Sequence, residues 1–139
     1  MPLVYVDSSA LVKVILEERW APALAAYLSE TEIVSSELVL TEVPRALRRT
    51  SATRADLPLE PLMRRAEAQL DEIALRSVDE SLLIGAGLLA EPNLRSLDAI
   101  HLVTALHLYP IDAFVTYDKR QAAVARLAGL QAVSPGADE

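Results

Sequence analysis

Twice along this 139-residue chain an apolar run ends on an aspartate and passes straight into a helical pattern. The first is LVYVD (residues 3–7), followed by SSALVKVILEE with Leu11, Val12, Ile15 and Leu16 at helical spacing. The second is DAFVTYD (residues 112–118), followed by KRQAAVARLAG, which closes at Gly129. Runs of this kind read as strands buried within a sheet, and a strand feeding directly into a helix is the unit of an α/β fold. The intervening sequence continues the alternation. PALAAYLSE, ELVLTEVPRALRRT, LEPLMRRAEAQLDEI, DESLLIGAGLLAE and LDAIHLVTALHLY read as helices, and IVSS, ALRSV and LQAVS as short strands. SATRADLP (residues 51–58) reads as a connection, and Pro44 should disturb its helix in mid-course unless the helix begins close to it or bends there.

The expected fold class is α/β, a single-domain α/β/α sandwich with a largely parallel sheet. A hydrophobic fraction of 52% with only four glycines excludes a disordered or collagen-like chain. One domain over residues 1–134 and a frayed tail at 135–139 are expected. Cysteine is absent, so disulfides, thiolate metal sites and a cysteine nucleophile are excluded. No run approaches the roughly 20 apolar residues of a membrane span, and MPLVYVDSSA lacks a signal-like pattern, so no membrane role and a cytoplasmic location are expected. The net charge of −7 argues against binding nucleic acid by basicity alone.

The acids are the informative residues. Asp7 and Asp118 end the two clear strands, where open α/β sheets bind ligands, although a strand-end aspartate also caps the following helix. Asp98 stands among Leu97, Ile100, Leu102 and Val103, a costly setting for a carboxylate. It could answer the helix dipole in a first turn capped by Ser96, or join the other acids around a cation. Gathered in one cleft, three acids would raise each other's pKa unless a cation neutralised them, and an all-oxygen set suits Mg²⁺ or Mn²⁺. A fourth acid is sought in SSELVLTEVPRALRR: Glu37 is explained by capping, whereas Glu42 stands among Val39, Leu40 and Val43. His101 reads as a partly buried, hydrogen-bonded imidazole.

These residues resemble a known family. An aspartate in VYVDSSALVK, a glutamate in LVLTEVPRAL, an aspartate opening LDAIHLVTA and the late VTYD are similar to the acidic motifs of PIN-domain ribonucleases, and the layout is similar to the VapC toxins of toxin–antitoxin pairs. The resemblance implies catalytic Asp7, Glu42, Asp98 and Asp118, with Ser8 and Thr116 as hydroxyls that orient a carboxylate or a water. Asp7 and Asp98 are then the expected metal ligands for Mg²⁺ or Mn²⁺, and Lys13, Arg45, Arg48 and Arg49 the residues that hold flanking phosphates. It further implies an RNA substrate, a VapB-like antitoxin covering a groove between the two central helical segments, and a homodimer. A housekeeping PIN nuclease, and a non-catalytic binding module whose acids only cap helices, remain alternatives.

Overall fold

The computed structural model describes residues 1–138. Strand β1 (Leu3–Val6) runs into helix α1 (Ser8–Ile15) and then α2 (Ala21–Leu28). Strand β2 (Glu32–Ser36) is followed by α3 (Val39–Thr53) and α4 (Leu59–Asp71), and β3 (Ala74–Arg76) by α5 (Glu80–Gly87) and α6 (Ser96–His107). The chain closes with β4 (Ala113–Val115), α7 (Lys119–Leu127) and β5 (Ala132–Val133).

All the strand pairs are parallel, in the order β3-β2-β1-β4-β5. Because successive side chains on a strand point to opposite faces, the short strands feed two cores. Val4, Val6 and Val115 pack with Leu11, Leu24, Val39, Val43, Leu47 and Leu62 of the first four helices. Tyr5 and Phe114 pack on the other face with Leu102 and Ala105 of α6 and Ala122 and Ala125 of α7. The sheet is thus buried on both sides, the expected α/β/α sandwich.

The order of the strands positions the site. From β1 the chain builds outward through β2 to β3, then crosses back to lay β4 against the other side of β1. The connections leaving β1 and β4 therefore diverge and open a crevice at the carboxyl ends of these two central strands. Asp7 N–H donates to Val115 O at 3.2 Å, which fixes the two strand ends side by side.

Several local expectations are corrected. Helix α3 begins at Val39, upstream of Pro44, and continues past it. Pro44 offers no N–H to the Leu40 carbonyl, but Leu40 is exposed, so solvent can serve that oxygen. The same helix runs on to Thr53 and shortens the connection to residues 54–58, where Ser51 Oγ donates to Leu57 O at 2.7 Å. Ser96 is the first residue of α6 rather than its cap; Arg95 takes the cap position without a side-chain bond. At the C-terminal end, Tyr117 Oη donates to Pro135 O at 2.7 Å and Ser134 N to Asp138 Oδ2 at 2.6 Å, while Ala137 and Asp138 are exposed. Glu139 lies outside the described residues.

Candidate active site

The crevice is a cleft of about 740 Å³ lined by Asp7, Glu42, Asp98 and Asp118 together. The four expected acids therefore share one space, although they come from sequence positions as far apart as 7 and 118.

Asp7 lies at the bottom, 4% exposed. It caps α1, its Oδ1 accepting from Ala10 N at 3.2 Å and from Ser9 Oγ at 2.6 Å. Its Oδ2 accepts from the buried Thr116 Oγ1 at 2.5 Å. Burial pushes the Asp7 carboxyl above its ordinary range, and the bonds from Ser9 and Thr116 pull against that rise. Capping and cleft placement are thus not rivals here: one side chain does both.

The two expected hydroxyls stand differently. Thr116 holds Asp7 as expected, but the serine that does so is Ser9; Ser8 lines the cleft and makes no side-chain hydrogen bond among the described residues. Ser9 Oγ also accepts from Tyr117 N at 3.2 Å, so the start of α1 and the end of β4 close around the same carboxylate.

Behind this carboxylate runs a buried relay that the sequence did not expose. Tyr5 Oη and His101 Nδ1 lie 2.7 Å apart, and His101 Nε2 lies 2.6 Å from Glu42 Oε1. His101 is 1% exposed, and its ring is fixed at both nitrogens. Glu42 falls in the first turn of α3 and caps nothing among the described residues. Burial, reinforced by the negative charge of Asp7, pushes the Tyr5 hydroxyl well above its ordinary range, so it stays protonated in this relay. Glu37, the other acid of this segment, is spent elsewhere: its Oε1 accepts from Val78 N at 2.7 Å.

The opposite wall is looser. Asp98, in the first turn of α6, has a side chain 22% exposed, and Asp118 one 31% exposed. Asp118 caps α7 through Arg120 N at 2.9 Å and Gln121 N at 3.1 Å. Asp98 makes no capping bond among the described residues; its Oδ2 lies 3.3 Å from Arg95 Nε, and Asp118 Oδ2 lies 3.6 Å from Arg95 Nη2. Burial raises the Asp98 carboxyl, Arg95 opposes the rise and Asp118 adds to it. Gln121, fully buried, anchors this wall by donating to the Asp98 carbonyl at 3.0 Å.

Of the expected basic residues, Lys13, Arg45 and Arg49 line the cleft, whereas Arg48 does not. Arg95 joins them and was not anticipated.

The donor chemistry fits a hard divalent cation. Asp7 is a buried carboxylate with no lysine or arginine paired to it among the described residues, and Asp98 is partly buried and faces Arg95. The described residues hold no ready-made cluster of three ligands. Mg²⁺ commonly takes one or two carboxylates and keeps water and substrate phosphate in its other positions, and Asp7 and Asp98 are the two that would hold it.

A buried carboxylate at the junction of two parallel strands, faced by acids from two helix starts, defines a doubly wound α/β domain with an acidic crevice at its switch point. The chain belongs to the PIN domain family, whose model matches residues 4–127. It is 39% identical over 140 residues to "Ribonuclease VapC35" of Mycobacterium tuberculosis (strain CDC 1551 / Oshkosh), covering 96% of this chain and 98% of that protein. It is 40% identical over 139 residues to "Ribonuclease VapC46" of M. tuberculosis (strain ATCC 25618 / H37Rv), covering 97% and 99%. The fold is similar to that of VapBC2 from Rickettsia felis, solved bound to a promoter DNA fragment, with a TM-score of 0.66 at 13% identity over 96% of this chain and 98% of that one.

Proposed function

We propose that this chain is a divalent-metal-dependent endoribonuclease and the toxin of a toxin–antitoxin pair. The observation that carries the reading is the convergence of Asp7, Glu42, Asp98 and Asp118 on one cleft, two of them free of any capping bond among the described residues. Helix capping alone leaves Glu42 and Asp98 unexplained. The relatives named ribonucleases, alike over nearly the whole chain, support the chemistry.

Asp7 and Asp98 would hold Mg²⁺ or Mn²⁺, which supplies Lewis-acid polarisation of a phosphate and lowers the pKa of a water. Ser9, Thr116 and the Ala10 amide hold the Asp7 oxygens in place, so the carboxylate needs no reorganisation when the cleft fills. Glu42 commits Oε1 to His101 and keeps Oε2 without a partner among the described residues, available to orient or take a proton from the attacking water. Asp118 completes the acidic ring from the far wall. Lys13, Arg45 and Arg49 supply positive charge for the flanking phosphates.

An antitoxin has a suitable surface. Helices α3 and α4 leave a groove of about 360 Å³ lined by Leu40, Pro44, Met63 and Leu70, with Glu60, Glu67 and Asp71 around it. An apolar segment carrying basic residues would match it. Exposed Leu83, Ile84 and Leu88 on and just after α5 offer apolar area for a homodimer. No helix among the described residues is long and apolar enough to cross a membrane.

The test is cleavage of total cellular RNA by purified protein with Mg²⁺, with Mn²⁺ and with chelator, beside growth on expression with and without a co-expressed VapB-like antitoxin gene. Metal-dependent fragments and growth arrest relieved by that gene are expected. Intact RNA under all metal conditions would remove the nuclease reading, and normal growth on expression would remove the toxin reading.

A further inference from the structure

One cation of the cleft is built differently from the rest. Lys13 has a side chain only 13% exposed, and its Nζ lies 4.7 Å from the ring centroid of Tyr117 and 5.4 Å from that of Trp20. Those two rings are stacked on each other, 6.0 Å between centroids and 12° between planes. The ammonium makes no hydrogen bond among the described residues, and its nearest carboxylate, Glu18, is 4.0 Å away. Its three N–H donors thus remain for whatever occupies the cleft, of which Lys13 and Tyr117 both form part of the wall.

The aromatic pair is itself held with unusual effort. Trp20 adopts a left-handed backbone, φ 69°, a conformation that bulky residues rarely take. Its ring is packed by Gly136, where a Cβ would lie 2.9 Å from Trp20 Cδ1 and where φ is 89°. Tyr117 is tied by its hydroxyl to Pro135 O, and its backbone N–H to Ser9, the serine that also grips Asp7. The C-terminal turn, the ring pair, the lysine and the deepest acid therefore form one connected piece. Arg45 and Arg49, by contrast, are exposed.

We infer that Lys13 is the cleft's fixed contact for a substrate phosphate and that the Trp20–Tyr117 pair, clamped by the C-terminal turn, is the positioning device that aims it. The inference rests on the reading of the cleft as an RNA site. A lysine already confined by two aromatic faces loses little freedom on binding, and its ammonium keeps its full charge against the ring faces with Glu18 no nearer than 4.0 Å.

The experiment measures binding of a short labelled single-stranded RNA, with Ca²⁺ replacing Mg²⁺, across a salt series. Lys13→Met should weaken binding about tenfold. The slope of log K against log salt should fall by about 0.7, the share of one single-strand phosphate. Trp20→Leu and Gly136→Ala should weaken binding in the same direction, and Lys13→Met/Trp20→Leu should bind no worse than Lys13→Met alone. Lys13→Arg keeps charge and ring contact and should recover most of the affinity, which a misfolded Lys13→Met protein could not explain. An unchanged slope in Lys13→Met, or additive losses in the double variant, would overturn the inference while leaving a binding, cleaving native protein as an RNA enzyme. A native protein that neither binds nor cleaves RNA would remove the parent reading and the inference with it.

Discussion

The two walls of the cleft hold the same kind of group by opposite means. On the β1 side, Asp7 is buried, receives hydrogen bonds on both oxygens and is backed by the Tyr5–His101–Glu42 relay. On the α6–α7 side, Asp98 and Asp118 are partly exposed and share Arg95, a side chain 75% exposed. The first wall is preorganised and bears the cost of a buried charge; the second is adjustable and is occupied by a displaceable cation. Division of this kind suits a site that must keep one ligand fixed while admitting an ion and a polyanion.

The contrast is broken most severely at Asp7. Asp7→Asn preserves the shape and can still accept from Ala10 and Ser9, so the fold should survive while RNA cleavage falls by about a thousandfold or more. Without metal, the same variant should melt at a higher temperature than the native chain at pH 8. The sign follows from the raised Asp7 carboxyl: stability linked to its protonation is present below the ordinary carboxylate range and is lost as pH rises through the folded value. The advantage of Asp7→Asn in thermal melts should therefore shrink as the pH is lowered. An advantage constant with pH would mean that the buried charge is not what the native fold tolerates.

A smaller effect is expected from the relay. His101→Phe leaves the buried Tyr5 hydroxyl and Glu42 Oε1 without their partner and should cost about 2–3 kcal/mol in urea unfolding. The smallest concerns the loose wall: Arg95→Ala should bind Mn²⁺ about threefold more tightly by calorimetry, because an exposed ion pair is weak and its removal frees Asp98 and Asp118. Weaker Mn²⁺ binding in that variant would show that Arg95 organises this wall instead of competing for it.

What could be read from the sequence was whatever depends on local pattern. Two apolar runs ending in Asp7 and Asp118 carried the parallel sheet and its crevice, since strand burial and strand end are both written in contiguous residues. That Ser9 and not Ser8 bonds Asp7 is decided by the phase of the first turn of α1, which sets the hydroxyl that reaches back to the cap and leaves no mark in the local pattern. Arg48 stands outside the cleft, yet its spacing of three from Arg45 shares a helix face as readily as the spacing of four to Arg49, so the sequence pattern does not separate them. The pattern around His101 indicates a hydrogen-bonded imidazole but not its partners, which lie 59 and 96 residues away and have no local signature. The aromatic support of Lys13 was missed for the same reason, as it is completed by the segment expected to fray.

The most direct test is isothermal titration of the native chain and of Asp98→Asn with Mn²⁺, with thermal melts to show that both are folded. Binding by the native protein that disappears in Asp98→Asn is the expected result, for it would place a cation between the fixed wall and the adjustable one. Equal binding by both proteins, or none by a folded native chain, would contradict the assignment of this cleft as a metal-dependent active site.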